Sequence, residues 1–184
     1  DKYLKLFNLC SKVMLQIVEG RKPVIAKVHG AAFAAGCQLV ASCDLAYGGK
    51  SSRFATPGVN IGLFCSTPMV ALSRSISKKD AMKMLLTGDM INAKEAKRIS
   101  LINDYVSETE LKDSVMNLAL TISQKSMKNI KIGKEAFYKQ LYLDLSDAYE
   151  YTSAIMAKNV QEDYAIEGIN AFLEKRDPNW CDDQ

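Results

Sequence analysis

Apolar residues recur near helical spacing at Leu4, Phe7, Val13, Ile17 and Val18, with Lys2, Lys5 and Lys12 between them. The pattern predicts an amphipathic helix over 2–18, stopped by Gly20 and Pro23. The run VIAKV at 24–28, bounded by Pro23 and Gly30, reads as a buried strand. Residues 31–43 are small-sided, with Ala31, Ala32, Ala34, Ala35, Gly36 and Ala41, and predict a glycine turn leading into a closely packed helix. Short strands are expected at 45–47 and 53–55, and a Pro/Gly-rich loop over 56–68. Beyond it helical periodicity takes over: a helix at 78–86, one capped by Asn92 with Glu95 three residues on, a last strand at 101–106, then helices over 108–125, 127–141, 144–160 and 162–174. The first part is mixed α/β and the last nearly all helix.

Two segments in this frame could carry chemistry. In 29–44, HGAAFAAGCQLVASCD, a strand runs into a turn and then a helix whose first residues are Ala and Gly. Unpaired N–H groups at a helix start point outward, and small side chains let a ligand carbonyl reach them. The same residues equally describe a small-residue helix packed on a sheet. In 54–68, FATPGVNIGLFCSTP, a stiff loop follows a strand and would face the first segment if their strands are neighbours; it also reads as an ordinary connection.

Composition narrows the chemistry. Lys and Arg number 24 against 21 Asp and Glu, a net +3 over 184 residues, which gives little reason to expect nucleic acid or an acidic membrane as partner. No run approaches the length of a membrane helix. The single histidine, His29, excludes a zinc site built on two histidines. The five cysteines, Cys10, Cys37, Cys43, Cys65 and Cys181, are odd in number without CxxC spacing, and read as free thiols.

Taken together, KPVIAKVHGAAFAAGCQLVASCDLAY, FATPGVNIGL, LLTGDMINAKEAKRISLIN and EGINAFLEKRDPNW resemble four ordered blocks of the crotonase superfamily, the enoyl-CoA hydratases and isomerases, in a mitochondrial branch of it. The resemblance runs from about Lys22 to Trp180. It implies one domain over 1–184, with a ββα spiral over 1–106 and a helical, trimer-forming part over 107–184. It implies a mitochondrial location, a homotrimer or dimer of trimers, and an acyl-coenzyme A thioester as ligand, with no metal and no cofactor beyond coenzyme A itself. Ala35 maps onto one oxyanion N–H. Phe33, Ala34, Pro57, Ile61 and Ser66 map onto the acyl pocket, and Lys175, Arg176 and Trp180 onto a segment that packs near a neighbouring subunit's site. The family domain begins before this chain's Asp1, so the strands and loop giving the second oxyanion N–H are expected outside it.

The departures from the family matter more than the matches. The two acid/base glutamates correspond here to Gln38 and Gly58, and no Asp or Glu occurs at 20–43 or 49–77. Hydration of a conjugated thioester needs a base for water and an acid for the α-carbon, each contributing ~10²–10⁴-fold. Gln38 cannot exchange protons near neutral pH. The expectation is therefore a thioester-binding protein of lipid metabolism without hydratase activity. Alternatives are a crotonase of another reaction type, such as a decarboxylase, thioesterase or isomerase, or a regulatory protein binding RNA through Lys2, Lys5, Lys12, Arg21 and Lys22. His29 is expected to be a hydrogen-bonded structural residue, and Cys65 and Ser66 lack a visible base. A positive φ at Gly58 would add a backbone cost to any side chain there.

Overall fold

The computed structural model describes residues 1–180; Cys181 lies outside the described residues. Contacts divide the chain into two compact units, one of residues 1–18 and 23–119, the other of 19–22 and Leu120 onward. The division falls at 119/120, within the helix Leu111–Ser123, where the sequence reading placed a change from spiral to helical part at 106/107.

The first unit opens with α1 (Lys2–Glu19), which buries none of its side chains. Leu4, Phe7 and Val13 are exposed along it. Strands β1 (Ile25–Val28), β3 (Leu45–Gly49) and β6 (Asp104–Val106) form one parallel sheet in the order β1-β3-β6, with Ile25 opposite Leu45 and Tyr47 opposite Asp104. A second sheet has the order β2-β4-β5. Here β2 (Ala31–Phe33) runs parallel to β4 (Arg53–Ala55), with Phe33 opposite Ala55, and β5 (Ile91–Asn92) runs antiparallel to β4.

Helices α2 (Ala35–Ser42), α3 (Ser66–Ser75), α4 (Lys78–Thr87) and α5 (Ala93–Arg98) follow these strands, and the unit ends within α6 (Leu111–Ser123). The core is built from Val28, Val40, Phe54, Leu72, Met84, Leu85 and Ile102 among others, with Phe54 and Leu72 fully enclosed. Small residues let α2 lie close against α3, where Ser75 Oγ donates to Ala41 O at 2.7 Å. Asn92 caps α5 as its position predicts, its Oδ1 accepting the Glu95 N–H at 2.9 Å. The reciprocal half of the capping box is absent, because the Glu95 carboxylate pairs with Arg98 at 2.8 Å.

Three expectations are corrected. Residues 31–33 are a strand rather than part of the turn, because pairing with β4 supplies the hydrogen bonds their sequence does not advertise. The loop read over 56–68 contains a 3-10 turn at Pro57–Ile61, and α3 begins at Ser66. Pro68 sits in the first turn of α3, where its missing N–H has no helical partner to lose. The last strand is only Asp104–Val106. Leu101 and Ile102 enter the core before it, while Asn103 exchanges hydrogen bonds with Ala46 at 2.7 and 2.8 Å.

In the second unit α7 (Met127–Gln140) packs against α8 (Leu145–Asn159), tied by an Asn159 Nδ2 to Asn129 Oδ1 bond of 2.9 Å, and α9 (Asp163–Glu174) follows. Trp180 Nε1 donates to Gln124 O at 2.9 Å, and its ring lies 3.2 Å from the Cβ position of Gly168. Arg176 forms a two-point pair with the Glu167 carboxylate at 2.6 and 2.9 Å, so this basic residue is engaged inside its own unit. Tyr142 and Tyr149 are exposed, whereas Tyr151 lies under the Lys139 ammonium at 4.6 Å and Tyr138 meets Phe137 edge-on.

Candidate functional site

The β2–β4 pairing brings the two informative segments together at one end of their sheet. Just past Phe33, Ala34 adopts φ 48° and ψ −111°, a left-handed backbone that costs a side-chain-bearing residue about 1–2 kcal/mol. Its N–H donates to Ala55 O at 2.9 Å, and that bond holds the corner. Helix α2 then starts at Ala35. Its ladder opens with Gln38 N–H to Ala34 O at 2.9 Å, so the N–H groups of Ala35, Gly36 and Cys37 precede the ladder. Ala35 is exposed and has only a methyl side chain, which leaves its N–H approachable. The geometry suits a donor for a developing oxyanion.

Gln38 lies on the same helix, 4% exposed, with its Oε1 enclosed and without a hydrogen-bond partner. Its backbone O accepts from Ser42 Oγ at 2.8 Å. Cys37 beside it is fully buried, and burial first, then the nearby Cys65, push its thiol up to about 12. A backbone hydrogen bond from Ala55 to that thiol acts in the opposite direction. Thr56, fully buried, has an Oγ1 that is likewise enclosed without a partner.

Gly58 is buried in the 3-10 turn and is not among the positive-φ glycines, which are Gly30, Gly62 and Gly88. The constraint at Gly58 is space. A Cβ there would stand 2.9 Å from both Cys65 Sγ and Leu63 O, and 3.3 Å from Cys65 N. The loop has closed over the point from which a side chain would project.

Of the residues expected in the pocket, Phe33, Ala34, Ala35 and Gln38 lie on one strand end and helix start, and the Ala34–Ala55 bond joins these to Thr56 and Pro57. Ile61 and Ser66 are exposed, and Ser66 Oγ donates to Phe64 O at 3.3 Å. His29 is exposed after β1 and makes no hydrogen bond among the described residues, which corrects its reading as a hydrogen-bonded structural histidine. Exposure at a sheet edge leaves it nothing to anchor. Asp44 does act structurally, its Oδ2 accepting the Val24 N–H at 2.7 Å. Thr56 was missed by sequence reasoning. A threonine between a strand and a proline is unremarkable until its enclosure is seen.

Among the described residues no three acidic, histidine or cysteine side chains gather where they could hold a metal, and no helix is long and apolar enough to cross a membrane.

The sequence matches the family described as enoyl-CoA hydratase/isomerase over residues 6–183. It is 50% identical over 180 residues to enoyl-CoA hydratase domain-containing protein 3, mitochondrial, of Homo sapiens, an alignment covering 98% of this chain and 59% of the relative. It is 32% identical over 183 residues to enoyl-CoA hydratase, mitochondrial, of Pongo abelii, covering 99% of this chain and 61% of the relative. The crystal structure of the human domain-containing protein 3 superposes with a TM-score of 0.94 at 50% identity, covering 97% of this chain and 70% of that one. An enoyl-CoA hydratase from Mycobacterium smegmatis superposes with a TM-score of 0.95 at 47% identity, with the same coverage of 97% and 70%. The chain thus spans about three fifths of the length of these curated relatives. With the sequence match and the fold in agreement, the chain belongs to the enoyl-CoA hydratase/isomerase family, with the α/β crotonase fold.

Proposed function

We propose that this protein binds an acyl-coenzyme A thioester of lipid metabolism and polarises its carbonyl, but does not hydrate it. The Ala35 N–H at the start of α2 supplies one hydrogen bond to the thioester oxygen, and Phe33, Ala34, Pro57, Ile61 and Ser66 line the acyl side. The observation that carries the reading is the state of the two positions where the hydratases hold glutamates. Gln38 is a buried amide, and Gly58 has no side chain and no room for one. Without both carboxylates, neither the proton of the attacking water nor that of the α-carbon has a carrier. Chemistry that needs only a polarised carbonyl, such as loss of carbon dioxide from a malonyl-type thioester or slow thioester hydrolysis, is compatible with what remains.

The names of the close relatives support a mitochondrial setting. A homotrimer, with coenzyme A entering only as part of the ligand, completes the proposal. The test pairs binding with turnover. Crotonyl-CoA should bind in a titration while its conjugated absorbance decays no faster than in buffer. A turnover number near ~10 s⁻¹, ordinary for an enzyme, would overturn the proposal, as would the absence of binding.

A further inference from the structure

We propose that Ser52 is a positioning residue for the Ala35 N–H: its hydroxyl pins the crossing from β1 to β2 and thereby fixes where that donor points. The inference rests on the reading of Ala35 as a hydrogen-bond donor to a thioester, and its own ground is the lacing of two neighbouring stretches of chain. Residues 28–34 leave the first sheet, cross at His29 and Gly30, and enter the second sheet as β2. Residues 49–55 make the same passage from β3 to β4. Gly30 takes φ 83°, and the exposed His29 side chain makes no hydrogen bond among the described residues, so the crossing has little hold of its own.

Around the β2–β4 ladder, three further bonds tie the two stretches together. Ser52 Oγ donates to Val28 O, the Arg53 N–H to Gly30 O and the Ala34 N–H to Ala55 O, each at 2.9 Å. The last holds the corner at which α2 begins. The first two set the strands in register before it, with Ala31 opposite Arg53 and Phe33 opposite Ala55. Of the three, the bond from Ser52 is the one made by a side chain, so it is the one that residue choice supplies. Ser52 is fully buried and lies beside Gly48, the register partner of Val28. A Cβ on Gly48 would stand 3.5 Å from Ser52 Cβ and 3.6 Å from its Oγ.

Ser52 is itself held. Its N–H donates to Gly49 O at 2.9 Å and closes the turn after β3. Glu108 Oε1 accepts the Ser51 N–H at 2.7 Å, and Arg53 Nη1 donates to Ser51 O and Ser52 O at 2.8 and 3.0 Å. A hydroxyl fixed on such a turn is a fixed point for the Val28 carbonyl. Removing it takes a donor from a buried carbonyl and frees residues 28–30 to relax about Gly30, whose backbone accepts either sign of φ. The Ala35 N–H lies at the end of that segment. An oxyanion donor works only within about 2.7–3.1 Å of the oxygen, so a small displacement of the corner shows in the polarisation of the carbonyl before it shows in stability.

The test is difference infrared spectroscopy of the purified protein with crotonyl-CoA isotopically labelled at the thioester carbonyl carbon. A hydrogen bond to that oxygen lowers the stretching frequency, so the shift on binding reads the donor directly. The unaltered protein should show the shift. Ser52→Ala, nearly isosteric, should lose about half of it or more, while affinity falls by less than about tenfold, the weight of one hydrogen bond. Ser52→Cys keeps the volume but donates weakly, and should fall between the two. Ser77→Ala removes the α4 cap on the Asp80 N–H, outside the lacing, and should lose stability but keep the full shift. A full shift in Ser52→Ala, or in Ser52→Cys if the alanine variant does not fold, overturns the inference and leaves the thioester reading standing. An equal loss of shift in Ser77→Ala does the same, since it traces the effect to stability alone. No binding or no shift in the unaltered protein overturns the thioester reading and this inference with it.

Discussion

The sulfur of Cys65 stands 2.9 Å from the point where a Cβ on Gly58 would be placed, and the Leu63 carbonyl oxygen stands at the same distance on another side. Contacts that short do not occur around real side chains, so any larger residue at Gly58 must move the loop. A thiol could turn away. A backbone carbonyl fixed by its own loop cannot, and the Leu63 N–H is itself bonded to Gly58 O at 2.9 Å. Position 58 is thus held small by the backbone of the turn around it.

Gly58→Glu is accordingly expected to destabilise the protein by about 1–3 kcal/mol through overpacking. For a chain of this length that corresponds to a fall in Tm of about 2–4 °C per kcal/mol. Adding Cys65→Ala should recover only part of the loss, because the Leu63 oxygen remains. Thermal unfolding of the single and double variants checks this, and a Gly58→Glu variant as stable as the parent would contradict the packing described. A Gln38→Glu, Gly58→Glu protein should therefore gain hydratase activity only if the loop over 58–65 shifts.

Ala34 stores backbone strain at the corner that presents the Ala35 N–H. Ala34→Val should lose about 1 kcal/mol or more, since a β-branched residue tolerates a left-handed φ still less. Ala34→Gly should be neutral or slightly stabilising. Relief of about 1–2 kcal/mol of strain is set against about 0.5–1 kcal/mol of added chain entropy in the unfolded state. Denaturant unfolding of the two variants should rank Gly above Val; the reverse order would mean that φ at this corner is not left-handed.

The Glu167–Arg176 pair gives the second unit a defined response to acid. The hydrogen bonds from the Arg176 guanidinium, followed by that from the Asn179 N–H, lower the Glu167 carboxyl to about 2 from an ordinary 4.5. A depressed folded-state value means that the contribution is present above the unfolded value and is lost as pH falls through the folded one. The stabilisation should therefore be complete above about pH 4.5 and gone near pH 2. Tm measured across this range should fall less steeply in Glu167→Gln than in the parent. Parallel curves would show that the pair does not form in solution.

Local pattern was enough for the elements whose residues announce themselves. The 3.6-residue period of α1 and of the later helices, the Asn92 cap and the strands after Pro23 and before Gly48 all follow from side chains within a few positions of one another. So does the lack of a carboxylate at positions 38 and 58, because whether a side chain can carry a proton depends on residue type alone. Tertiary structure decided what depends on distant partners. Residues 31–33 become a strand only because β4 lies beside them, and α3 emerges from a Pro/Gly-rich stretch because Leu72 is fully enclosed in the core formed with α2 and the sheet. Gly58 has no positive φ, and what excludes a side chain there is the space its Cβ would need, since the atoms that crowd it come from five to seven residues further along a turn that no periodicity encodes. The unpaired Gln38 and Thr56 atoms are of the same kind. Sequence states which polar groups a chain carries, but only the folded chain determines which of them are removed from water and left without a partner.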